Sequence, residues 1–254
     1  MKEQWRLLQT GSGTAFTNMA VDQAVLVVNS QGKVPPTVRF YGWAPPAISI
    51  GYFQSLVDEV DIGACERLGV NYVRRITGGG AVFHENELTY SIVVPESHPE
   101  VPKNILKSYA RICGAVMKGL RQLGVESEYA PINDIISNGQ KISGNAQTRK
   151  VETVLQHGTV LMDVDVDKMF SLLKVPNEKI KDKLIADVKQ RVTSIRNILG
   201  KEIRFKEVAE AMKMGFEREF RIELIEGKLS KEEMALAKKF EKECFSIKDW
   251  NYRR

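Results

Sequence analysis

The sequence predicts an α+β fold with a mixed or antiparallel sheet, and three observations favour this class. Segments rich in β-branched and aromatic residues occur in neighbouring pairs, as antiparallel hairpins do. The dipeptide Asn138-Gly139 is a strong two-residue turn signal between two such segments. Stretches with helical spacing lie between the hairpins, whereas a doubly wound fold would alternate single strands with helices.

The predicted elements follow from local patterns in chain order. Helical spacing predicts helices over 17–30, with Thr17 as N-cap, over 61–68, ended by Gly69, and over 103–123. Strands are predicted over 37–43, 47–53, 70–76, 80–84, 88–94, 134–137, from 141 onward and over 153–163. The remainder is predicted as mostly helical, with helices over 165–173, in a lysine-rich stretch that runs to about 190, over 206–220 and over 230–244. We expect one domain over 1–254 with a helical C-terminal part from about 204.

Composition and charge narrow the function classes. The 254 residues are 43% hydrophobic and 27% charged, as in ordinary globular proteins. The net charge of +5 fits an acidic partner or an anionic substrate. No nucleic-acid-binding motif, membrane-spanning run or signal peptide is present, so we expect a cytoplasmic protein without nucleic-acid or membrane partners.

Cysteine usage argues against a disulfide framework and against structural zinc. Cys65, Cys113 and Cys244 are far apart, their number is odd and no CxxC occurs. The histidines add no metal-ligand spacing to them.

The run RRITGGGAVFH at 74–84 is the most informative feature of the chain. Three consecutive glycines, Gly78, Gly79 and Gly80, let the backbone approach a ligand closely and expose its N–H groups. Arg75 precedes them, and arginine matches carboxylate and phosphate oxygens. The run therefore suggests a cradle for an anionic ligand, although a glycine-rich hairpin with a solvated arginine is the alternative.

Three further segments are polar within otherwise β-like sequence. Asn133-Asp134 opens a strand, and Asp134 could hold a divalent metal together with an Asn or phosphate oxygens. Lys141 directly follows the Asn138-Gly139 turn region, where a rigid strand could aim it at an anion. Gln156-His157-Gly158-Thr159 interrupts an apolar strand. Turn chemistry, a solvated lysine and a satisfied strand histidine are the respective alternatives.

Taken together, RRITGGGAVFH, NDI, GQKISGNAQ and QHGTVL resemble the lipoate–protein ligase family in their order and spacing. The resemblance runs over nearly the whole chain, from RFYGW and IGYFQ to the DWNY at 249–252. It implies a fold like that of biotin ligases and class II aminoacyl-tRNA synthetases, with a mixed, mainly antiparallel sheet flanked by helices.

The resemblance implies a two-step reaction. Lipoate would react with ATP and Mg²⁺ to form lipoyl-AMP, and the lysine of an acceptor domain would then displace AMP. The implied acceptor is the lipoyl domain of a 2-oxoacid dehydrogenase E2 or a glycine cleavage H-like protein. Lys141 would be the catalytic residue, Asp134 the metal ligand, and Phe40, Tyr41 and Val82 part of an apolar tunnel. The residues implied for substrate and adenylate binding are Arg75, Gly78, Gly79, Gly80, Ala81, Val82, His84, Asn133, Asp134, Ser143, Gly144, Asn145, Ala146, His157, Gly158 and Thr159.

Two other functions stay open beside the ligase. The segment ENELTYS after His84 and the DWNY end look more like the octanoyltransferase branch, which moves octanoyl from acyl carrier protein, or from another lipoyl protein, through a cysteine thioester. That cysteine would lie in the loop over 128–132, which contains none, so the sequence favours the ligase. A non-catalytic lipoate-binding protein is the second alternative, and the retained Lys141 and Asp134 argue against it. Because the chain ends soon after DWNY, we also expect a separate small accessory subunit.

Overall fold

The strands form two sheets in the computed structural model, which describes residues 2–174 and 181–253. In chain order the strands are β1 (Gln4–Gly13), β2 (Thr37–Trp43), β3 (Ala47–Ile50), β4 (Asn71–Arg74), β5 (Val82–His84), β6 (Glu87–Pro95), β7 (Glu128–Ala130), β8 (Asp134–Ser137), β9 (Gln140–Lys150), β10 (Thr153–Leu161) and β11 (Glu223–Glu226). Within the described residues the main sheet has the order β11-β1-β2-β6-β10-β9-β8-β7, and the small sheet has the order β4-β3-β5. In the main sheet, β1 pairs in parallel with β11 and β2, and the other neighbours are antiparallel. The predicted α+β fold with a mixed, mainly antiparallel sheet is confirmed.

Helices cover both faces of the main sheet. They are α1 (Ala15–Ser30), α2 (Leu56–Glu59), α3 (Ile62–Leu68), α4 (Ile105–Gln122), α5 (Val166–Leu172), α6 (Lys181–Arg191), α7 (Ile195–Leu199), α8 (Phe205–Phe220), α9 (Lys231–Phe240) and α10 (Lys248–Tyr252), with a π-helical turn at Glu241–Phe245. One core lies between the sheet and α4 with α8, and it includes Phe40, Tyr90 and Phe216. A second core joins the opposite face to α1 and α9. The sheet is therefore packed against helices on both faces.

Two glycines let α4 and α8 cross at close range. A Cβ on Gly215 of α8 would lie 2.2 Å from the carbonyl oxygen of Ala115 and 2.5 Å from the amide nitrogen of Gly119. A Cβ on Gly119 would in turn lie 2.6 Å from the Met212 Cε. Since backbone atoms cannot yield as a side chain can, this crossing needs glycine at 215.

The small sheet carries the glycine-rich run beside the main sheet. Its core, which includes Ile48, Cys65 and Leu172, is covered by α2, α3 and α5. The run 75–81 connects β4 to β5, and Gly79 has a φ of +97°, in the region that favours glycine. A Cβ on Gly51 would lie 2.0 Å from the Gly79 carbonyl oxygen, so Gly51 lets the end of β3 sit directly under the run.

The C-terminal segment is held by a buried arginine that precedes the glycines. The Arg74 guanidinium donates to the carbonyl oxygens of Gly51 and Tyr52 at 3.2 and 2.9 Å. It also donates to those of Trp250 and Asn251 at 3.0 and 2.9 Å. The DWNY run that the sequence singled out is therefore anchored next to the glycine-rich run.

Several predicted boundaries differ from the observed ones. Strands β1, β7 and β11 were not predicted; β1 lies between β11 and β2 in the main sheet, and β7 falls in the segment expected to be a loop. The first helix begins at Ala15 with Thr14, not Thr17, as its N-cap. Part of the lysine-rich stretch predicted as helical to about 190 lies outside the described residues, and α6 covers its end. From about 204 onward the elements are helical except for β11. Among the described residues, no helix combines the length and apolar character that a bilayer crossing requires.

Candidate active site

A cavity of about 140 Å³ lies where the small sheet meets the main sheet. One water needs roughly 10–15 Å³ of such space, so the cavity can hold a chain of many atoms. Most of the residues implied by the resemblance line it, namely Arg75, Gly79, Gly80, Ala81, Val82, His84, Asn133, Lys141, Gly144, Asn145, Ala146, His157, Gly158 and Thr159. Gly78, Asp134 and Ser143 lie outside this lining in the described structure.

The cavity wall also includes residues that sequence reasoning did not select. These are Met19, Trp43, Ser49 and Thr89, and the expected Tyr41 lies among them. Phe40, which we expected in the tunnel, instead packs against Phe216 in the core on the other face of the sheet. Side chains alternate along a strand, so the choice of Tyr41 could have indicated Trp43 and excluded Phe40.

Arg75 holds the glycine-rich run in shape through the hydrogen bonds that it donates. Its Nη2 donates to the carbonyl oxygens of Gly78 and Gly80 at 2.7 and 2.8 Å. Its Nη1 donates to the Ser49 carbonyl oxygen and Oγ at 2.9 and 3.1 Å, and its Nε donates to Thr77 Oγ1 at 3.1 Å. Burial lowers the pKa of Arg75 to about 10, which leaves the guanidinium cationic at neutral pH. Arg75 therefore places a fixed positive charge at the wall.

A buried carboxylate on α1 orients one of the cavity histidines. Asp22 accepts hydrogen bonds from Arg39 at 2.7 Å, from Ser91 at 2.8 Å and from Tyr41 at 3.0 Å. Its Oδ2 lies 3.1 Å from Nδ1 of His157. Burial alone would raise the pKa of Asp22, but Arg39 and His157 outweigh it and hold the pKa below its usual value. This residue was absent from the sequence-based site because it lies on a distant helix.

His157 is consequently a neutral imidazole with a defined tautomer. Burial lowers its pKa more than the partner Asp22 raises it. Because Asp22 is an acceptor, Nδ1 carries the proton, and Nε2 accepts from the Thr77 hydroxyl at 2.7 Å. His157 thus fixes Thr77 under the glycine-rich run and shapes the wall.

The second cavity histidine has a similar arrangement on different strands. His84 Nδ1 lies 2.7 Å from Glu87 Oε1, and its Nε2 lies 2.8 Å from Ser49 Oγ. The Trp43 indole stacks on the imidazole with ring centroids 4.0 Å apart and an interplanar angle of 14°. The Thr89 hydroxyl donates to the same Glu87 oxygen at 2.5 Å. The imidazole is therefore fixed in position and direction.

The candidate catalytic lysine lies at the cavity wall on a bulged strand. A register shift between β8 and β9 follows Ile135, and it brings Lys141 and Gly144 to one face. A Cβ on Gly144 would lie 2.8 Å from Lys141 Cε, so the glycine leaves room for the lysine chain. Lys141 Nζ pairs with Asp134 Oδ1 at 2.7 Å, and both side chains are partly exposed.

Reciprocal amide contacts join Asn133 to Asn145, which follows Lys141 on β9. Asn133 Nδ2 donates to the Asn145 carbonyl oxygen at 2.6 Å, and Asn145 Nδ2 donates to that of Asn133 at 2.9 Å. Tyr90 donates to Asn145 Oδ1 at 2.6 Å. A Cβ on Gly158 would lie 2.0 Å from that same oxygen, so glycine is required under Asn145.

The comparisons with known proteins place this architecture in one family. Residues 14–217 match the model of the lipoyl protein ligase A/B catalytic domain. The chain belongs to this family. The family prediction is therefore confirmed.

Whole-length relatives refine the comparison. Octanoyltransferase LipM of Geobacillus kaustophilus is 38% identical over 100% of this chain and 99% of its own length. Octanoyltransferase LipM of Brevibacillus brevis is 37% identical over 99% of this chain and 100% of its own. A solved bi-partite lipoate protein ligase from Thermoplasma acidophilum superimposes with a TM-score of 0.89 and 28% identity, covering 99% of this chain and 98% of that one.

These relatives overturn the expected activity. The more similar sequences are octanoyltransferases over their whole length, so the prediction of ATP-dependent lipoate activation is wrong and its transferase alternative is better supported. A transferase moves an acyl group that is already activated, so ATP and Mg²⁺ as cofactors are wrong as well. Asp134, the predicted metal ligand, pairs with Lys141. In the described part of the chain, no three Asp, Glu, His or Cys side chains gather in a metal-binding arrangement.

Proposed function

We propose that this protein transfers an octanoyl group from a carrier-protein thioester to a lysine side chain of an acceptor domain. The observation that carries the proposal is the whole-length similarity to octanoyltransferases of a chain whose predicted site residues line one cavity. The acceptor class that we propose is the lipoyl domain of a 2-oxoacid dehydrogenase E2 or an H-like protein. The Thermoplasma ligase is described together with its E2 lipoyl domain, which supports that class.

The lining supports the substrate class. Apolar surface from Met19, Trp43, Ala81 and Val82 suits a saturated chain, which gains free energy on leaving water. Lys141 supplies the ammonium group best placed at the wall to stabilise negative charge on a reacting carbonyl oxygen. In this proposal the remaining predicted residues at the wall position the acyl chain.

The net charge of +5 supports acidic partners, because opposite charge accelerates the encounter of two proteins. The cytoplasmic location and the separate accessory subunit stay predictions.

The proposal is tested with the purified chain, an octanoyl-loaded acyl carrier protein and a lipoyl domain, without ATP. Intact-mass spectrometry should show one octanoyl group on the acceptor, and an acceptor with its target lysine changed to arginine should stay unmodified. Modification that requires free acid and ATP, and that does not occur with the loaded carrier, would overturn the proposal.

A further inference from the structure

Octanoyl transfer by way of a covalent acyl-enzyme needs a nucleophile in the cavity, and the cysteines do not provide it. Cys65, Cys113 and Cys244 all belong to the described chain, and none lines the cavity. Burial, with help from Asp61 and Glu66, raises the pKa of Cys65 to about 11, and burial raises that of Cys113 to about 12. The reactive form of a thiol is its thiolate, so both groups are inert at neutral pH.

Ser49 has the surroundings of an activated nucleophile. It lies on β3, and its hydroxyl lies 2.8 Å from His84 Nε2. On the far side of the imidazole, Glu87 Oε1 lies 2.7 Å from Nδ1. A carboxylate that accepts from Nδ1–H leaves Nε2 free to accept the serine proton, which is the arrangement of acid, base and nucleophile in a hydrolase triad. Ser49 and His84 both line the cavity.

The charge beside the serine oxygen favours its ionised form. Arg75 Nη1 donates to Ser49 Oγ at 3.1 Å, and Arg75 is only 4% exposed. A cation in a buried site stabilises an adjacent developing oxyanion strongly, because little water screens it. Arg75 is itself fixed by the glycine-rich run, so this charge needs no rearrangement during reaction.

The other acid, histidine and hydroxyl series in the cavity region is less suitable. Asp22, His157 and Thr77 have the same connectivity, with contacts of 3.1 and 2.7 Å. Thr77, however, does not line the cavity, whereas Ser49 does. Lys141 does line it, but an acyl group on Lys141 would be an amide that the acceptor amine cannot readily displace.

We propose that Ser49 carries the octanoyl group as an oxygen ester between the carrier protein and the acceptor lysine. This inference rests on the proposed function and adds its covalent step. Ser49 Oγ attacks the thioester carbonyl carbon while its proton passes to His84 Nε2. The C–S bond breaks, and the carrier thiolate leaves with that proton. The acceptor amine then attacks the ester and gives a proton to His84, the C–O bond breaks, and Ser49 Oγ recovers the proton.

The experiment traps the ester. The full chain, with all three cysteines changed to serine, is incubated with octanoyl-loaded carrier protein alone, quenched in acid and mapped by peptide mass spectrometry. We expect one octanoyl group on the peptide that contains Ser49, and none in the Ser49→Ala variant. Transfer to the acceptor by Ser49→Ala should fall on the order of 10³-fold or more, the scale for loss of a covalent nucleophile.

Two further variants make the test independent of folding. Ser49→Cys should form an adduct that neutral hydroxylamine removes, because a thioester reacts with it faster than an ester. Ser137→Ala is the matched control, since Ser137 is also 2% exposed but donates to the Glu126 carbonyl oxygen away from the cavity. Undiminished transfer by a folded Ser49→Ala, or an adduct on another residue, overturns the ester while leaving octanoyl transfer intact. Absence of transfer by the unchanged chain overturns both.

Discussion

Lys141 Nζ lies 2.7 Å from Asp134 Oδ1, across the hairpin of β8 and β9. The carboxylate therefore positions the ammonium group at the cavity wall, where the sequence had suggested a metal ligand. The bulge in β9 and the absence of a side chain at Gly144 make this pairing possible. The pair is a positioning device for the lysine that we assign to oxyanion stabilisation.

Replacing Lys141 tests that assignment. Lys141→Ala should lower kcat for octanoyl transfer about 10²-fold or more, because removal of one preorganised donor to an oxyanion lowers kcat on that scale. The thermal midpoint should change little, since the pair is partly exposed. Steady-state transfer kinetics and a melting curve measure both. Lys33→Ala, which breaks a similar exposed pair with Glu232, is the control and should keep full activity. An equal loss in both variants would contradict the role of Lys141.

Adding a methyl group at position 158 should disrupt the hydrogen bonds around Asn145. In Gly158→Ala the new Cβ would lie 2.0 Å from Asn145 Oδ1 and 2.8 Å from Tyr90 Cε1. We expect a loss of about 1–3 kcal/mol in the free energy of unfolding, as for overpacked sites, together with lower transfer activity. Denaturant unfolding measures the first quantity. Gly63→Ala, on α3, is the control, because its Cβ would lie 3.3 Å from the flexible end of Arg67 and 3.5 Å from Asp61 Oδ1, so it should not lower stability. Wild-type stability of Gly158→Ala would show that Asn145 and Tyr90 can move aside at little cost.

The buried His157 should make stability depend on pH. Its folded pKa lies below the ordinary 6.5, so the unfolded chain binds a proton that the folded chain does not as pH falls through about 6.5. The contribution of the neutral histidine to the free energy of unfolding is fully present above that pH. Below it the free energy of unfolding should decrease by up to about 1.4 kcal/mol per pH unit for one proton. The lowered pKa of Asp22 acts separately, because its contribution is lost only below about 3.8.

His157→Gln should flatten this dependence between about pH 6.5 and 4. Unfolding free energies across that range, measured in denaturant at constant ionic strength, give the slope. His98→Gln is the control, because His98 is partly exposed and pairs with Glu3 away from the cavity. If the slope persists in His157→Gln but disappears in His98→Gln, the proton is bound by His98 and the prediction for His157 is wrong.

Arg74 should couple the C-terminal segment to the loop after β3. Arg74→Lys keeps the charge but loses the planar set of donors, so several buried carbonyl groups lose their partners at about 1–3 kcal/mol each. Hydrogen exchange should accelerate at 51–54 and at 250–253 together. Arg67→Lys, at an exposed position on α3, should change neither segment. Faster exchange in one segment alone would show that Arg74 does not join them.

Local patterns determined much of the architecture. The Asn138-Gly139 turn and the alternating segments around it are short-range features, so the hairpin of β8 and β9 was predicted where the structure has it. Strand β1 was missed because its second half is exposed and lacks a period of two, and β11 was missed because only one of its four residues is buried. Their pairing is decided by partners more than 200 residues apart, which no local pattern encodes.

The site shows the same division. Sequence motifs identified the family and most of the cavity wall, because four segments in fixed order are specific even without coordinates. They did not separate ligase from transferase, since the NDI run and a loop without cysteine weighed more than the similarity spread over the whole chain. Asp22 lies 135 positions before His157, and Ser49 lies 35 before His84. Only strand register and helix packing bring these groups within hydrogen-bond distance, so the tertiary structure alone decided which hydroxyl faces a base and which cysteines are buried out of reach.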